Sequence, residues 1–262
     1  MNLLFARHGQ ASFGQDNYDK LSSLGERQAK LLGKAFASQG RHPDVIVTGT
    51  MVRQQESAKH FLTEFMSTGE QSLSSEPTVI EGFDEFNHQD VLIKSNPAFA
   101  NRGEIMKVIS GHEKPKIKLA ELFDVAMTRW HAGENDGDYF ESWTQFNTRV
   151  WQAVQKILSY AQQKNAKNVM VFTSGGVIAC IASQLLSERV NSKQAYRINR
   201  RLVNTGVTTV MVKKGFQSTE LASSMSQQAM PEQNMMSMLR LLAMNEHSHL
   251  YVQGEKPLLT WY

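Results

Sequence analysis

Leu3-Leu4-Phe5-Ala6 is a continuous apolar run that stops at Arg7-His8-Gly9-Gln10. Four apolar residues without alternation suit a strand covered on both faces, and a glycine at its end permits a tight turn or a close backbone approach. Polar residues fill 10–20, and Ser23-Leu24-Gly25-Glu26 then has the spacing of a capping box. Leu24, Leu31, Leu32, Ala35 and Phe36 recur behind it at helical intervals and predict one buried face. Pro43 precedes the β-branched run Val45-Ile46-Val47, a second strand that ends at Thr48-Gly49-Thr50. Ala58, Phe61, Leu62 and Phe65 mark the apolar side of the next helix, with Arg53 in its first turn. A Ser/Gly/Glu-rich loop covers 67–76, and Pro77 leads into Thr78-Val79-Ile80, a third strand followed closely by Glu85.

The next fifty residues carry helical patterns and no strand. Phe99, Ile105, Met106 and Ile109 form one apolar face, and Leu119, Leu122, Phe123, Ala126, Met127 and Trp130 another. Uninterrupted helices over about 88–138 predict a cap at one edge of a sheet. Residues 133–138 form a polar break that lacks the ligand spacing and closing Glu of an EF-hand, so a plain turn is expected. Ser142-Trp143-Thr144-Gln145 repeats the capping-box spacing ahead of a long amphipathic helix carrying Phe146, Val150, Val154, Ile157, Leu158 and Ala161. Val169-Met170-Val171-Phe172 is the most apolar strand and is expected to be central, followed by Gly175-Gly176 and a buried helix through Leu186. Thr205 to Val212 reads as a further strand, and residues 239–244 and 257–261 as late, edge-type strands. Between them, residues 217–238 turn rich in Met, Ser and Gln, an inserted loop or adaptable lid. No internal repeat or linker divides the chain, which reads as one domain over 1–262.

Composition narrows the classes. A chain of 262 residues with 41% hydrophobic content can bury a sizeable core, and a net charge of +3 is far from the concentrated basic patch of a nucleic-acid binder. The basic residues Lys193, Arg197, Arg200 and Arg201 read as a solvated or phosphate-facing rim. One cysteine, Cys180, excludes an internal disulfide framework and favours a reducing, cytoplasmic compartment. The start lacks the pattern of a cleaved signal, and the apolar stretch from Val169 to Leu186 is broken by Thr173-Ser174-Gly175-Gly176, so no membrane association is expected.

Strands joined by long helical connections run parallel, and their C-terminal ends then share one edge. The expected fold is therefore α/β, a three-layer sandwich with a mostly parallel central sheet flanked by helices. Four polar stations meet at that edge: His8 after the first strand, Thr48 and the approach to Arg53 after the second, Glu85 after the third, and Ser174-Gly175 after the central one. Open α/β sheets bind ligands there. Arg7 and Arg53 can clamp phosphate oxygens, His8 can displace a leaving group in line, and Glu85 can protonate the departing oxygen. Gln10, Ser12 and Asn17 lie in the first loop, where plain solvation is the expected reading and contact with a substrate the alternative.

These residues resemble the histidine phosphatase superfamily, the phosphoglycerate-mutase-like branch 1. The likeness rests on Arg7-His8-Gly9, Leu21-Ser22 with Gly25 and Gln28-Ala29, Thr48-Gly49-Thr50 with Arg53, Glu85, and the strand followed by Gly175-Gly176. Glu141-Ser142, Asn204, Asn245-Glu246, His249-Leu250 and Leu259-Thr260 look like later landmarks of the same family, so the resemblance covers nearly the whole chain. It implies a phosphohistidine on His8, a phosphate pocket from Arg7, Arg53 and a second histidine, Glu85 as proton donor, and neither metal nor cofactor. Ser174 stands where the second histidine is expected, with Gly175 beside it. A serine donates one hydrogen bond but carries no positive charge. His88, three residues beyond Glu85, is the best-placed histidine to contact substrate instead.

The leading expectation is a phosphatase of a phosphorylated small molecule, or less readily of a phosphoprotein. A second reading keeps the pocket but assigns it to binding or regulation, turnover having been lost through Ser174. A third takes residues 172–176 as the nucleophile elbow of a serine hydrolase, but the first Gly of that motif is missing and no Asp follows Ser174. The substrate and the oligomeric state are not written in the sequence.

Overall fold

The computed structural model describes residues 1–12, 19–67, 76–99, 101–187, 191–213, 232–252 and 255–261. Its chain divides into two compact units, one formed by Met1–Glu85 with Val150–Tyr262 and the other by Phe86–Arg149. In chain order the elements are β1 (Asn2–Arg7), α1 (Ser23–Ser38), β2 (Val45–Thr48), α2 (Val52–Met66), β3 (Thr78–Val79), α3 (His88–Lys94), α4 (Arg102–Ser110) and α5 (Pro115–Ala132). They continue with α6 (Trp143–Gln163), β4 (Asn168–Thr173), α7 (Gly175–Ser187), α8 (Ser192–Asn199), β5 (Val207–Val212), α9 (Glu232–Met238) and β6 (Leu239–Glu246).

The first unit holds a six-stranded sheet in the order β3-β2-β4-β1-β5-β6. β1, β2, β3 and β4 run parallel, while β5 and β6 run antiparallel to their neighbours. The α/β architecture expected from the periodicity is thus present. β4 is internal, between β2 and β1, and its burial is complete from Val169 to Thr173. β1 lies between β4 and β5, so its apolar run needs cover on both faces. Leu4 and Ala6 face one side with Met170, Phe172, Ile46 and Val207, where Leu32 and Phe36 of α1 and Ala58, Phe61, Leu62 and Phe65 of α2 close over them. Leu3, Phe5, Val169 and Val171 alternate to the other face and are equally buried.

Phe61 is the hub of the first face. Its ring lies parallel to Phe65 at 5.6 Å, edge-on to Phe36 at 5.5 Å, and 5.3 Å from Phe172 of the sheet. α1 starts one residue earlier than the capping-box spacing predicts: Ser22, not Ser23, is the N-cap, its hydroxyl accepting from the Gly25 amide. Residues 257–261, read as an edge strand, are instead an extended strap. Pro257 cannot donate to a ladder, and the strap is held through Gln28 and Asn204. Of the Met-rich stretch, 217–231 lie outside the described residues, and Glu232–Met238 is helical.

The second unit is helical. Asn87 and Asn101 cap α3 and α4 by accepting two backbone amides each, Pro115 opens α5, and Gly133 ends it with φ of 76°. Phe86, Trp130, Trp143 and Phe146 pack ring against ring, and Trp130 Nε1 donates to the Glu141 carbonyl. Arg149 grips Glu141 with two bonds of 2.6 and 2.9 Å. Among the described residues no helix is long and apolar enough to cross a membrane.

Removing the Phe61 ring leaves a cavity between both helices and the sheet. Phe61→Ala should lower the unfolding free energy by about 3–5 kcal/mol in urea titrations, whereas a substitution at an exposed position of the same helix, such as Thr63→Ala, should change it little.

Candidate active site

The site begins with the strand ends. β1 and β4 are in register to Arg7 and Thr173, and the His8 amide donates to the Thr173 carbonyl at 2.8 Å. His8 and Ser174 are therefore the residues that leave two neighbouring parallel strands side by side. The His8 carbonyl accepts from Asn204 Nδ2 at 2.9 Å, and the Gly9 amide donates to Ser57 Oγ at 2.9 Å. Gly9 is required by packing: a Cβ there would lie 2.4 Å from the Gly25 carbonyl oxygen at the start of α1.

The His8 ring is buried and held at both nitrogens. Nδ1 is 2.7 Å from the Gly9 carbonyl, which can only accept, so the proton sits on Nδ1. Nε2 accepts from Arg53 Nε at 3.2 Å, so its lone pair points at the guanidinium. Arg53 is in the first turn of α2 and is buried itself. Asp19 fixes it from the preceding loop, one carboxylate oxygen accepting from Arg53 Nη1 at 2.5 Å and the other from the Val52 amide at 2.8 Å. The same carboxylate thus caps α2, whose own N-cap residue, Met51, offers no side-chain bond.

Arg7 is anchored by Nη1 donating to the Leu202 carbonyl, and a Cβ built on Gly175 would come within 3.5 Å of its Nε. The Gly175 backbone thus approaches Arg7 closely. Glu85 is buried, and its Oε2 accepts from the Gly176 amide at 2.9 Å, in the first turn of α7. Ser174 is fully buried and accepts from Gln54 Nε2 at 2.9 Å. Hydrogen bonds and strand pairing therefore bring together His8, Arg53, Ser174, Gly175, Arg7 and Glu85 in one unit.

The remaining candidates are placed differently. The Gln10 side-chain oxygen accepts from Ser22 Oγ, and the Gln10 backbone N–H donates to Gln28 Oε1. Ser12 Oγ donates to the Leu21 carbonyl. Asn17 lies outside the described residues. His88 belongs to the helical unit, where its ring packs 4.2 Å from Phe86 and 6.0 Å from Phe123. Among the described residues no group of three or more His, Cys, Asp or Glu side chains is arranged to hold a metal ion.

Three contributors escape a reading by strand ends. Asp19 sits in a polar loop without pattern. Gln54 lies four residues before Ala58 on the buried stripe of α2, and a glutamine in an apolar stripe is the signal that would have found it. The third is a shelf below Arg7: Thr205, with φ of 61°, donates its amide to the Arg7 carbonyl at 2.9 Å. A β-branched residue rarely adopts that backbone. Its hydroxyl donates to the Asn204 carbonyl and is 2.9 Å from His249 Nε2, which therefore carries the donating proton.

A six-stranded sheet with the order 3-2-4-1-5-6 and a histidine, two arginines and a glutamate at its edge defines an α/β protein of the phosphoglycerate-mutase-like class. The chain belongs to the histidine phosphatase superfamily, branch 1, whose sequence profile matches residues 3–94 and 109–223. The fold is similar to that of a mutant phosphoserine phosphatase from Entamoeba histolytica in complex with phosphoserine, at a TM-score of 0.56 and 18% identity over 95% of this chain and 98% of that one. It is similar also to phosphoglycerate mutase from Bacillus anthracis, at 0.56 and 16% over 95% and 94%, and to a mycobacterial glucosyl-3-phosphoglycerate phosphatase, at 0.57 and 17% over 94% and 99%. In sequence, 69 residues are 35% identical to the 2,3-bisphosphoglycerate-dependent phosphoglycerate mutase of Tropheryma whipplei (strain Twist). That match takes in 24% of this chain and 31% of the curated relative.

Burial, reinforced by His247 and Arg41, lowers the His249 pKa to about 4. The unfolded chain binds this proton near pH 6.5, so the folded form is favoured above that pH and its advantage is lost as pH falls towards 4. Unfolding midpoints measured between pH 7 and 4 should decline, and His249→Gln, which keeps an N–H for Thr205, should flatten that decline by the equivalent of about one proton.

Proposed function

We propose that this chain is a phosphatase that hydrolyses a phosphate monoester through a phosphohistidine on His8. The observation that supports this most is the double constraint on the imidazole. With its proton held on Nδ1 by the Gly9 carbonyl, the Nε2 lone pair is the nucleophile and needs no prior deprotonation. Arg53 Nε already lies 3.2 Å from that atom, so a phosphoryl group approaching Nε2 meets a guanidinium at once.

In the proposed reaction Nε2 forms a bond to phosphorus as the ester P–O bond breaks, and Glu85 gives its proton to the departing alcohol. Arg7 and Arg53 bear the charge of the equatorial oxygens, with Ser174 and the Gly175 backbone completing the pocket. Water then attacks phosphorus, returns a proton to Glu85, and releases phosphate and the free imidazole. The protein supplies two arginines and neutral donors; the positive charge that a second imidazole would add is missing. That absence supports a second reading, a pocket of the same fold that binds a phosphate ester with little turnover. The Entamoeba structure holds phosphoserine, which favours a small phosphorylated acid as substrate. Gln10 and Asn17 are proposed as substrate contacts.

Wild-type protein should turn over members of a panel of small phosphate monoesters and yield an acid-labile phosphoenzyme on quenching. His8→Ala should remove the label and lower kcat on the order of 10³-fold or more. Turnover unchanged in His8→Ala would refute the mechanism, and phosphate binding without turnover by the wild type would favour the binding role.

A further inference from the structure

Gln54 lies in α2 next to Arg53, is fully buried, and spends both protons of its amide nitrogen within the pocket wall. Nε2 donates to the Phe83 carbonyl at 3.1 Å and to Ser174 Oγ at 2.9 Å. The Phe83 carbonyl can only accept, and it also takes the Thr173 hydroxyl at 2.6 Å, so the amide cannot be turned around without setting oxygen against oxygen. The direction of the bond to Ser174 follows. Ser174 Oγ receives a proton from Gln54 and keeps its own to give away. Among the described residues nothing accepts that proton, although the side chain is completely buried. A buried hydroxyl with an unspent donor, one position beyond the strand paired with the strand of His8, points to a ligand oxygen.

A second observation shows that Gln54 is built into this place. Gly49, at the end of β2, has no room for a Cβ: one added there would lie 2.1 Å from Gln54 Oε1 and 2.2 Å from Asp84 Oδ1. Asp84 in turn accepts from the Thr50 amide and hydroxyl. The turn after β2 is therefore shaped around the glutamine, and Gln54 Oε1 has no hydrogen-bond partner among the described residues. The amide is kept at the cost of a buried acceptor left unused, which a purely structural apolar residue would avoid.

We infer that Gln54 is a positioning residue that orients the Ser174 hydroxyl as a donor to a tetrahedral oxyanion beside His8. The inference rests on the reading of this site as a phosphate pocket. It adds a neutral relay, Phe83 carbonyl to Gln54 amide to Ser174 hydroxyl to ligand oxygen, in which each acceptor determines the next donor. Such a relay stabilises an oxyanion by direction alone, without bringing a charge or a titrating group into the pocket.

The test is a double-mutant cycle read by binding of orthovanadate and inorganic phosphate in calorimetry, so that it does not depend on turnover. Ser174→Ala should weaken vanadate binding about tenfold or more, and Gln54→Leu should do nearly the same. In the Ser174→Ala background Gln54→Leu should then add little, because its effect runs through the hydroxyl. Gln54→Glu keeps the shape but presents an acceptor, turning the Ser174 proton away from the ligand, and should bind vanadate at least as weakly as Ser174→Ala. Thermal melts of each variant identify any loss of fold; a merely structural role would lower both backgrounds equally. Additive effects, unchanged binding in Gln54→Leu, or a wild type that binds neither anion would overturn the inference. Phosphoenzyme trapping on His8 in the wild type separately decides the catalytic reading: vanadate coupling without a phosphoenzyme upholds the relay and rejects the phosphatase, and the reverse result does the opposite.

Discussion

The pairing of β1 between β4 and β5 is the constraint on which the rest depends. Its ladder ends with Arg7 opposite Thr173 on one side, while on the other the Arg7 amide donates to the Gly206 carbonyl and the Arg7 carbonyl accepts from Thr205. Side chains alternate along a strand, so a slip of one residue would carry Leu3 and Phe5 to the α1–α2 face and exchange the directions of Arg7 and His8. Because both faces are apolar, what opposes that slip is the fit of unlike side chains, Leu4 and Ala6 against α1 and α2 and Leu3 and Phe5 on the other face. The hydrophobic core and the geometry of the imidazole are thus two outcomes of one register.

Much of this was legible in the sequence because it is local or periodic. The strands at Leu3-Ala6, Val45-Val47 and Val169-Phe172 announce themselves by continuous apolar runs, and α6 by the spacing of Phe146, Val150, Val154, Ile157 and Ala161, all buried. His8, Arg53, Glu85 and Ser174 could be named because each closes or follows such a run. The contacts that orient them could not, since they join residues far apart: Asp19 to Arg53, Gln54 to Ser174, Asn204 to His8. Spacing carries no information about which loop reaches which strand end. The strap over 257–261 misled for a related reason. Leu258 and Leu259 have the apolar character of an edge strand, but the strap spends its backbone and hydroxyl groups on Gln28 and Asn204 side chains in place of a ladder.

The pocket is also economical in charge. Arg53 faces His8 while its far end rests on Asp19, an ion pair in which one partner is buried and the other half-exposed. Burying a guanidinium without such a counter-ion would be costly, and the second oxygen of the same carboxylate, bonded to the Val52 amide, fixes the counter-ion in place. Ser174 and Gln54, joined by a hydrogen bond of 2.9 Å, add polar groups without adding charge.

The bonds around Thr260 have a temporal consequence. Asn204 fixes the His8 carbonyl across 196 residues, and Thr260 fixes Asn204 across a further 56, its hydroxyl donating to Asn204 Oδ1 while its carbonyl receives the Asn204 amide. As a ribosome makes the chain, His8 emerges well before Thr260, and the support of its backbone is completed only after residue 260 has followed. During synthesis the nascent protein therefore carries a histidine without its final brace, and the geometry around it matures only once nearly all of the sequence shown here has been made.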